Sequence, residues 1–459
     1  MKSPSEGWQP TATKCLCGFF IAVLSGTICA SAGSIRAGVA RVDIAPSRGI
    51  LMWGYAARKA PSAGALDPLY ARILVLDDNR ARIAIVALDL GRPFGPSSLK
   101  RLRQSIEKSS RISGVLITAS HTHSGPVLMD EYRDETPAWE NAALSNIEKA
   151  VDQASLQLTD VRLGVGYGIS YIGYNRIEIQ LDGKAKWLGS NTTEIPSSPL
   201  DPTVTVLRID RQDGSPLAIL VNYACHPVIL GPDNLQYSAD FPATMTQVVE
   251  QSIDGRPLCF FLQGGPGDIN PYHATTPLQQ DAVRMRDWAG QHLGDEAARV
   301  AKTIQTRPEG EGRLNYDETM MRFHSRWEPE EFQQGLMKVF GANALDVYGP
   351  KIGREIELPV STLVINRRIA VMTMPGEPFV DFQVDWRNRC PAADTLFLGY
   401  TNGYYGYFPT IRAAARGGYG ASSATTWVAV GAGEQMVNQA LVRVYEMLGE
   451  LRHAPSEGQ

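Results

Sequence analysis

The sequence predicts one large domain of mixed α/β class. Short apolar segments rich in β-branched residues, such as 115–119 and 217–223, are typical of buried strands. Amphipathic segments, such as 97–109 and 138–157, alternate with them and predict helices. The 459-residue sequence contains no internal repeat and no long linker, so we expect a single compact domain despite its length.

The first half of the chain predicts strands in neighbouring pairs. Residues 38–46 alternate between apolar and polar side chains, as an opening strand does. Segments 70–77 and 81–88 flank an Asp-Asn-Arg turn and are typical of a hairpin. Segments 203–209 and 217–223 repeat this arrangement around a polar turn that contains glycine.

The second half predicts further strands and long helices. Helices are expected over about 277–304 and 432–451, and strands over 356–363 and 369–374. Residues 305–355 are charged and irregular, and we interpret them as an inserted subregion or a lid.

Composition argues against a nucleic-acid partner. Hydrophobic residues make up 44% of the chain and charged residues 20%, which is ordinary for a soluble globular protein. The formal net charge of −4 provides neither the basic surface of a nucleic-acid-binding protein nor a basic membrane patch.

The first 32 residues are typical of an export signal. Lys2 and Lys14 precede the apolar segment 15–24, and the small residues 30–32 resemble a cleavage site. The apolar segment is too short for a comfortable membrane span. We therefore expect a signal peptide over 1–32 and export to the periplasm or beyond, with a retained N-terminal anchor as the alternative.

The cysteines do not predict a disulfide framework. Three of the six lie in the predicted signal peptide, which leaves Cys225, Cys259 and Cys390. An exported protein that relied on disulfides would carry more. At most one bridge is expected, so the hydrophobic core must supply the stability.

Two histidines follow the predicted strand 115–119. The strand runs into Ser-His-Thr-His-Ser-Gly-Pro, and Gly-Pro ends regular structure. On an extended backbone, residues i and i+2 share a face, so His121 and His123 can converge on one point. Such a pair at a strand end is a common way to hold a metal; a pair of surface loop histidines is the alternative.

Two further strand ends carry metal-binding residue types. His226 follows the strand 217–223 and precedes a proline, and Glu377 follows the strand 369–374. Histidine nitrogens and a carboxylate suit zinc, and a catalytic zinc keeps one position open for water. Zinc lowers the pKa of that water to about 7, so it supplies hydroxide at neutral pH. The chain therefore predicts a zinc site.

Several blocks of sequence, taken together, resemble the neutral/alkaline (non-lysosomal) ceramidase family. In chain order they are GVARVDIAP, ASHTHSGP, NYACHP, GGPGDINP and MPGEPF, followed by a tyrosine-rich loop. The resemblance covers most of residues 33–459. It implies a mixed α/β catalytic domain that holds zinc and hydrolyses the amide bond of ceramide to sphingosine and a fatty acid.

The resemblance also implies roles for individual residues. Four residues would ligate the zinc ion: His121, His226, Glu377 and Tyr407. Tyr407 is preferred over its neighbours Tyr404 and Tyr405 because its spacing to Tyr419 fits the two tyrosines of the family.

Three further residues would act on the substrate. His123 would transfer a proton or orient the substrate, and Arg176, within Tyr-Asn-Arg, would contact the substrate near the metal. Tyr419 would polarise the carbonyl group of the bond that is cleaved.

The chain departs from the family in two respects. The GDxSP block of ceramidases carries a serine that takes part in catalysis, and Asn270 stands at that position here. Asparagine cannot be a nucleophile, although its amide can donate to an oxyanion, and we expect Asn270 to help position the substrate. The family also has a C-terminal β-sandwich domain, which we do not expect in this chain.

We therefore expect an exported zinc hydrolase that cleaves the amide bond of ceramide or a related N-acyl substrate. The substrate would be a small molecule or a lipid; peripheral membrane contact is compatible with this, and the sequence gives no oligomeric state. One alternative is a zinc hydrolase acting on a carbohydrate or cell-wall-derived substrate, because aromatic residues within 400–419 can stack on sugar rings. Another is a zinc-binding protein without catalytic activity.

Overall fold

Two stacked β-sheets lie at the centre of the protein. The computed structural model describes residues 34–132, 134–307, 312–340, 353–422 and 425–451. The predicted signal peptide, residues 1–32, lies outside the described residues.

The first sheet has eight strands of mixed direction. In spatial order they are Leu258–Gln263, Pro216–Tyr223, Thr203–Arg211, Thr159–Ile169, Arg36–Asp43, Tyr70–Asp77, Arg82–Leu88 and Gly114–Ala119. The outermost pair at each end is parallel, and the pairs between are antiparallel. Both hairpins expected from the sequence are confirmed.

The second sheet has four strands. They lie in the order Leu314–His324, Glu355–Ile365, Ile369–Thr373 and Asp394–Leu398. The first two pair along their whole length. The lid interpretation of residues 305–355 therefore does not hold for Leu314–His324, because this strand forms the edge of the sheet.

Helices cover the outer face of each sheet. The first sheet packs against Pro96–Ser110, Ala138–Leu156, Phe241–Ser252 and Ala282–Thr303, and the second against Pro329–Phe340, Val380–Arg389 and Ala432–Met447. Two shorter elements are Ile411–Arg416 and the 3₁₀ turn Leu278–Gln280. Among the described helices, none is long and apolar enough to cross a bilayer.

Strands of the first sheet are buried on both faces, which explains their continuous apolar sequence. Within Tyr70–Asp77, Val75 packs toward the helices, whereas Leu74 and Leu76 pack between the two sheets. Side chains alternate across a strand, so a strand covered on both faces needs apolar residues at successive positions. The predicted mixed α/β domain is confirmed as four layers: helices, sheet, sheet and helices.

Four short ladders stand apart from the two large sheets in the described residues. They pair Gly64–Ala65 with Gln236–Tyr237, Gly173–Asn175 with Ile269–Pro271, Ile177–Ile179 with Ala185–Trp187, and Glu377–Pro378 with Tyr407–Phe408. The second and fourth ladders bring together residues that are far apart in the sequence and that we predicted to share one site.

The core stabilises the fold without disulfides among the described residues. Cys225, Cys259 and Cys390 are all free, and the first two are fully buried.

Asn222 ties the two large sheets together. It lies on the strand Pro216–Tyr223 and is 4% exposed. Its Nδ2 donates to the carbonyl oxygens of Leu262, in the first sheet, and Phe397, in the second, at 2.9 Å each. Its Oδ1 accepts from the Phe397 amide at 3.1 Å. One buried side chain thus satisfies three backbone groups between the layers.

We expect Asn222→Ala to lower the free energy of unfolding by about 3 kcal/mol, because buried backbone groups lose their partners. Denaturant unfolding measures the change. Asn438→Ala, at an exposed position of the C-terminal helix, is the matched control and should stay within about 0.5 kcal/mol of the parent. An equal, small effect of both substitutions would contradict the bridging role.

Candidate metal centre

Three strand ends converge on one buried point. His121 follows the strand Gly114–Ala119, and His226 follows Pro216–Tyr223. Glu377 follows the third strand of the second sheet. The two histidine-bearing strands are not neighbours in the first sheet, so something else must hold their ends together.

Gln263 makes that connection. Its side-chain Nε2 donates to the backbone carbonyl oxygens of Ser120 and Cys225, at 2.9 Å each. Each carbonyl belongs to the residue just before a histidine. A single buried carboxamide therefore fixes the separation of the two histidine-bearing segments.

The three predicted histidines and the glutamate are in contact. His226 Nε2 lies 3.1 Å and His121 Nε2 lies 3.4 Å from the same Glu377 oxygen, Oε2. His123 Nε2 lies 3.2 Å from His121 Nε2. His121, His226 and Glu377 are almost completely buried, and His123 is partly exposed.

Backbone carbonyls determine which nitrogen of two histidines carries the proton. His121 Nδ1 contacts the Gly91 oxygen at 2.5 Å, and His226 Nδ1 contacts the Ile269 oxygen at 3.0 Å. A carbonyl oxygen only accepts, so both Nδ1 atoms must donate. In the neutral rings, both Nε2 atoms then present lone pairs toward the Glu377 carboxylate, and these acceptors repel one another without a cation between them.

Burial favours the neutral form of His226 and His123, which is the form that metal binding requires. It lowers the pKa of His226 to about 4. Burial and the neighbouring His121 and His226 lower the pKa of His123 well below its ordinary value.

This donor set fits a metal ion. His121, His123 and His226 each offer a nitrogen, and these atoms lie within 4.8 Å of one another. Glu377 adds an anionic oxygen at the same point. Histidine with a carboxylate is a common zinc donor set.

The backbone at His121 is strained. Its φ is +67°, a left-handed conformation that non-glycine residues rarely adopt and that costs on the order of 1–3 kcal/mol. Its amide donates to the Leu90 carbonyl at 2.9 Å, which holds it in place. Strain of this kind clusters at functional sites.

Arg176 lies beside the centre and is also buried. The ladder of Gly173–Asn175 with Ile269–Pro271 puts Asn270 next to it. Arg176 donates through NH1 to Asn270 Oδ1 at 3.1 Å and through NH2 to Tyr407 Oη at 2.9 Å. Its guanidinium also lies over the rings of Trp187 and Tyr419, 4.7 and 5.4 Å from their centres.

The two predicted tyrosines join the same cluster. Tyr407 pairs in register with Glu377, and its ring lies edge-on to Tyr419 with centroids 5.5 Å apart. Burial raises the pKa of both hydroxyls. The Tyr407 hydroxyl accepts from Arg176, so the ligand role predicted for this residue stays a prediction.

A small cavity opens onto this cluster. Five predicted site residues line it: His121, His123, Glu377, Tyr407 and Tyr419. Three other aromatic residues complete this part of the lining: Trp53, Tyr404 and Trp427.

Sequence reasoning missed two tyrosines that bind Glu377. Tyr404 Oη donates to Glu377 Oε1 at 2.5 Å, and Tyr400 Oη donates to Oε2 at 3.2 Å. The loop is rich in tyrosine, but no pattern in its sequence distinguishes the residues that contact the glutamate from those that only pack.

A comparison with protein families identifies the chain. Residues 35–275 match the family of neutral/alkaline non-lysosomal ceramidases, N-terminal part. The chain belongs to this family. The match contains His121, His123 and His226, together with Arg176 and Asn270; Glu377 and the two predicted tyrosines lie beyond it.

Individual ceramidases resemble the chain at low sequence identity. The neutral ceramidase of Mycobacterium tuberculosis is 24% identical over 263 residues, which span 52% of this chain and 40% of that relative. The chain therefore covers less than half of that protein. The crystal structure of neutral ceramidase from Pseudomonas aeruginosa matches with a TM-score of 0.71 at 18% identity, over 92% of this chain and 76% of the other. A ceramidase complexed with C2 matches with a TM-score of 0.70 at 17% identity. At this identity the structures establish the fold.

The family's glycine-rich block also carries a buried acid, Asp268. Its carboxylate accepts from the Val380 amide at 2.8 Å and from Asn175 Nδ2 at 2.6 Å. Burial raises its pKa to about 7. The folded protein thus favours the protonated form far more than an exposed aspartate would.

We expect Asp268→Asn to change how stability depends on pH. The contribution of Asp268 is fully present below about pH 4 and is lost as the pH rises through about 7, a difference of up to about 4 kcal/mol. Asparagine does not ionise, so the free energy of unfolding of the variant should rise relative to that of the parent as the pH increases between these values. Denaturant unfolding at about pH 4 and about pH 8 tests this; a constant difference between the two proteins would contradict it.

Proposed function

We propose that the chain is an exported zinc-dependent hydrolase that cleaves the amide bond of an N-acyl substrate, ceramide or a relative of it. The observation that carries this proposal is the buried meeting point of two histidine Nε2 lone pairs with the Glu377 carboxylate, within 3.4 Å. Membership of the ceramidase family supports the hydrolase class.

Zinc would be held by His121, His226, Glu377 and Tyr407, with His123 beside them. When bound, zinc supplies a Lewis acid and lowers the pKa of water to about 7. His123 Nε2 is 3.2 Å from His121 Nε2, which suits either an additional ligand or a proton acceptor. Its Nδ1 has no hydrogen-bond partner among the described residues.

The remaining residues would act on the substrate. In hydrolysis, water oxygen bonds to the carbonyl carbon, the C–N bond breaks, and a water proton reaches the leaving nitrogen. The neutral His123 imidazole would carry that proton. Tyr419, on the cavity wall, would donate to the carbonyl oxygen as negative charge develops there, and the Arg176 cation would stabilise that charge.

Asn270 would position Arg176 rather than attack the substrate. Its Oδ1 accepts from Arg176 NH1, so the amide oxygen faces the guanidinium. Asn270 cannot take the catalytic part that the resemblance assigns to the serine of the family. The attacking group would therefore be water.

We expect purified protein to contain about one zinc ion per chain. Chelation should abolish hydrolysis of N-acyl lipids, and zinc should restore it. His226→Ala should lose zinc and lower turnover by about 100-fold or more, whereas His292→Ala, at an exposed helix position, should do neither. Metal analysis and turnover assays measure both. Full turnover by the metal-free protein or by His226→Ala would refute the mechanism.

The same screen separates the competing functions. Faster turnover of glycosides than of N-acyl lipids would favour the carbohydrate alternative. Bound zinc without turnover of any acyl or glycosyl substrate would favour a non-catalytic metal protein. Tyr400, Tyr404 and Tyr407 are at most 8% exposed, so they offer no open platform for stacking sugar rings.

Export is proposed from residues 1–32, with residues 33–459 as the catalytic part. We expect mature protein recovered from the periplasm or the medium to begin at Gly33, as read by mass spectrometry. Protein that stays in the cytoplasm with an intact N-terminus would contradict export.

A further inference from the structure

Each oxygen of the Glu377 carboxylate accepts a hydrogen bond from a different buried tyrosine. Tyr404 Oη donates to Oε1 at 2.5 Å, and Tyr400 Oη donates to Oε2 at 3.2 Å. The two tyrosines are 8% and 0% exposed. A carboxylate held at both oxygens cannot rotate freely about its terminal bond.

The two oxygens differ in what else they meet. Oε2 is also the atom 3.1 Å from His226 Nε2 and 3.4 Å from His121 Nε2. It therefore divides its lone pairs between the Tyr400 hydroxyl and the space between the histidines. Because Oε2 is the oxygen that faces both histidine nitrogens, a cation between them would meet Glu377 through Oε2.

Tyr400 contacts a second residue of the centre. Its ring stacks on the His121 ring, with centroids 4.1 Å apart and planes inclined by 22°. Its own amide donates to the Gly376 carbonyl at 2.9 Å, next to Glu377. One side chain thereby positions the imidazole and the carboxylate relative to each other.

The Tyr404 ring is held from several sides. The Arg92 guanidinium lies 5.1 Å from its centre. Trp53 and Trp427 meet it edge-on, with centroids 5.5 and 5.6 Å away. A ring packed in this way keeps its hydroxyl aimed at Glu377.

We propose that Tyr400 and Tyr404 form a hydroxyl clamp that fixes Glu377 and thereby sets the affinity of the centre for its metal ion. The clamp rests on the proposed function, since it acts on the metal centre of that hydrolase. Hydrogen bonds to a metal-ligating carboxylate fix its orientation, and removing one costs about 10–100-fold in metal affinity. Both tyrosines are positioning residues.

Phenylalanine separates this role from packing. Tyr400→Phe and Tyr404→Phe keep the rings, including the stack on His121, and remove only the hydroxyls. A residue that merely fills space would tolerate this change. Tyr405→Phe is the matched control, because Tyr405 is the neighbouring tyrosine and lines the adjacent cavity with Arg92 and Asp130.

The test is a zinc titration of the metal-free full chain in competition with a chromophoric chelator. We expect Tyr400→Phe and Tyr404→Phe each to raise the zinc dissociation constant about 10-fold or more, and Tyr405→Phe to leave it within about twofold. In a Glu377→Ala background, the Tyr400→Phe effect should largely disappear, because the oxygen atoms through which it acts are gone.

Several results would overturn the clamp. One is an unchanged dissociation constant in both phenylalanine variants; another is an equal loss in the Glu377→Ala background. Melting temperatures of the metal-free proteins show that each variant is folded, and if one is not, the other decides. A parent that binds zinc but hydrolyses no N-acyl lipid refutes the proposed function while the clamp is still measured. A parent that binds no zinc refutes both.

Discussion

The site depends on one electrostatic constraint: a buried carboxylate that faces two histidine lone pairs. Removing a carboxylate from water costs on the order of several kcal/mol unless a positive partner compensates. A neutral imidazole whose Nδ1 donates to a backbone carbonyl cannot also donate from Nε2, and both histidines beside Glu377 direct Nδ1 to a carbonyl in this way. Two tyrosine hydroxyls supply part of the compensation. A metal cation supplies the rest in the arrangement that we propose, and it explains why these groups are gathered in the core.

The packing of the two sheets brings segments that are far apart in the sequence together at the metal centre. His121 and His226 come from strands that are not adjacent in the first sheet, and Glu377 comes from the second sheet. The bridging carboxamide of Gln263 fixes the first separation, and Asn222 fixes the distance between the sheets. Both side chains are buried, and in each the amide nitrogen and the amide oxygen form hydrogen bonds. Breaking such buried hydrogen bonds lowers the free energy of unfolding, so they favour one arrangement of the two sheets over others.

Much of the fold could be predicted because the strands buried on both faces have continuous apolar sequences. The edge strand Leu314–His324 could not, since most of its side chains are half-exposed and many are charged or polar, as protected sheet edges require. The metal-binding residue types stood out at their strand ends. Their partners did not: Gln263, Tyr400 and Tyr404 act through contacts between segments far apart in the chain. No local pattern encodes such contacts, because they arise only after the two sheets pack.

Asn270 bears on the chemistry of the proposed hydrolase. The resemblance to ceramidases places a catalytic serine at this position, and a serine hydroxyl could form a covalent acyl intermediate. The amide of Asn270 cannot, and its oxygen instead accepts from Arg176. That contact ties Arg176 to the same cluster as Tyr407 and the Glu377 ladder. Asn270 and Tyr407 together hold the Arg176 guanidinium beside this cluster. Under the proposed function, the acyl group would pass directly to water. The negative charge that develops on the carbonyl oxygen would be stabilised by Arg176 and Tyr419 rather than by residue 270.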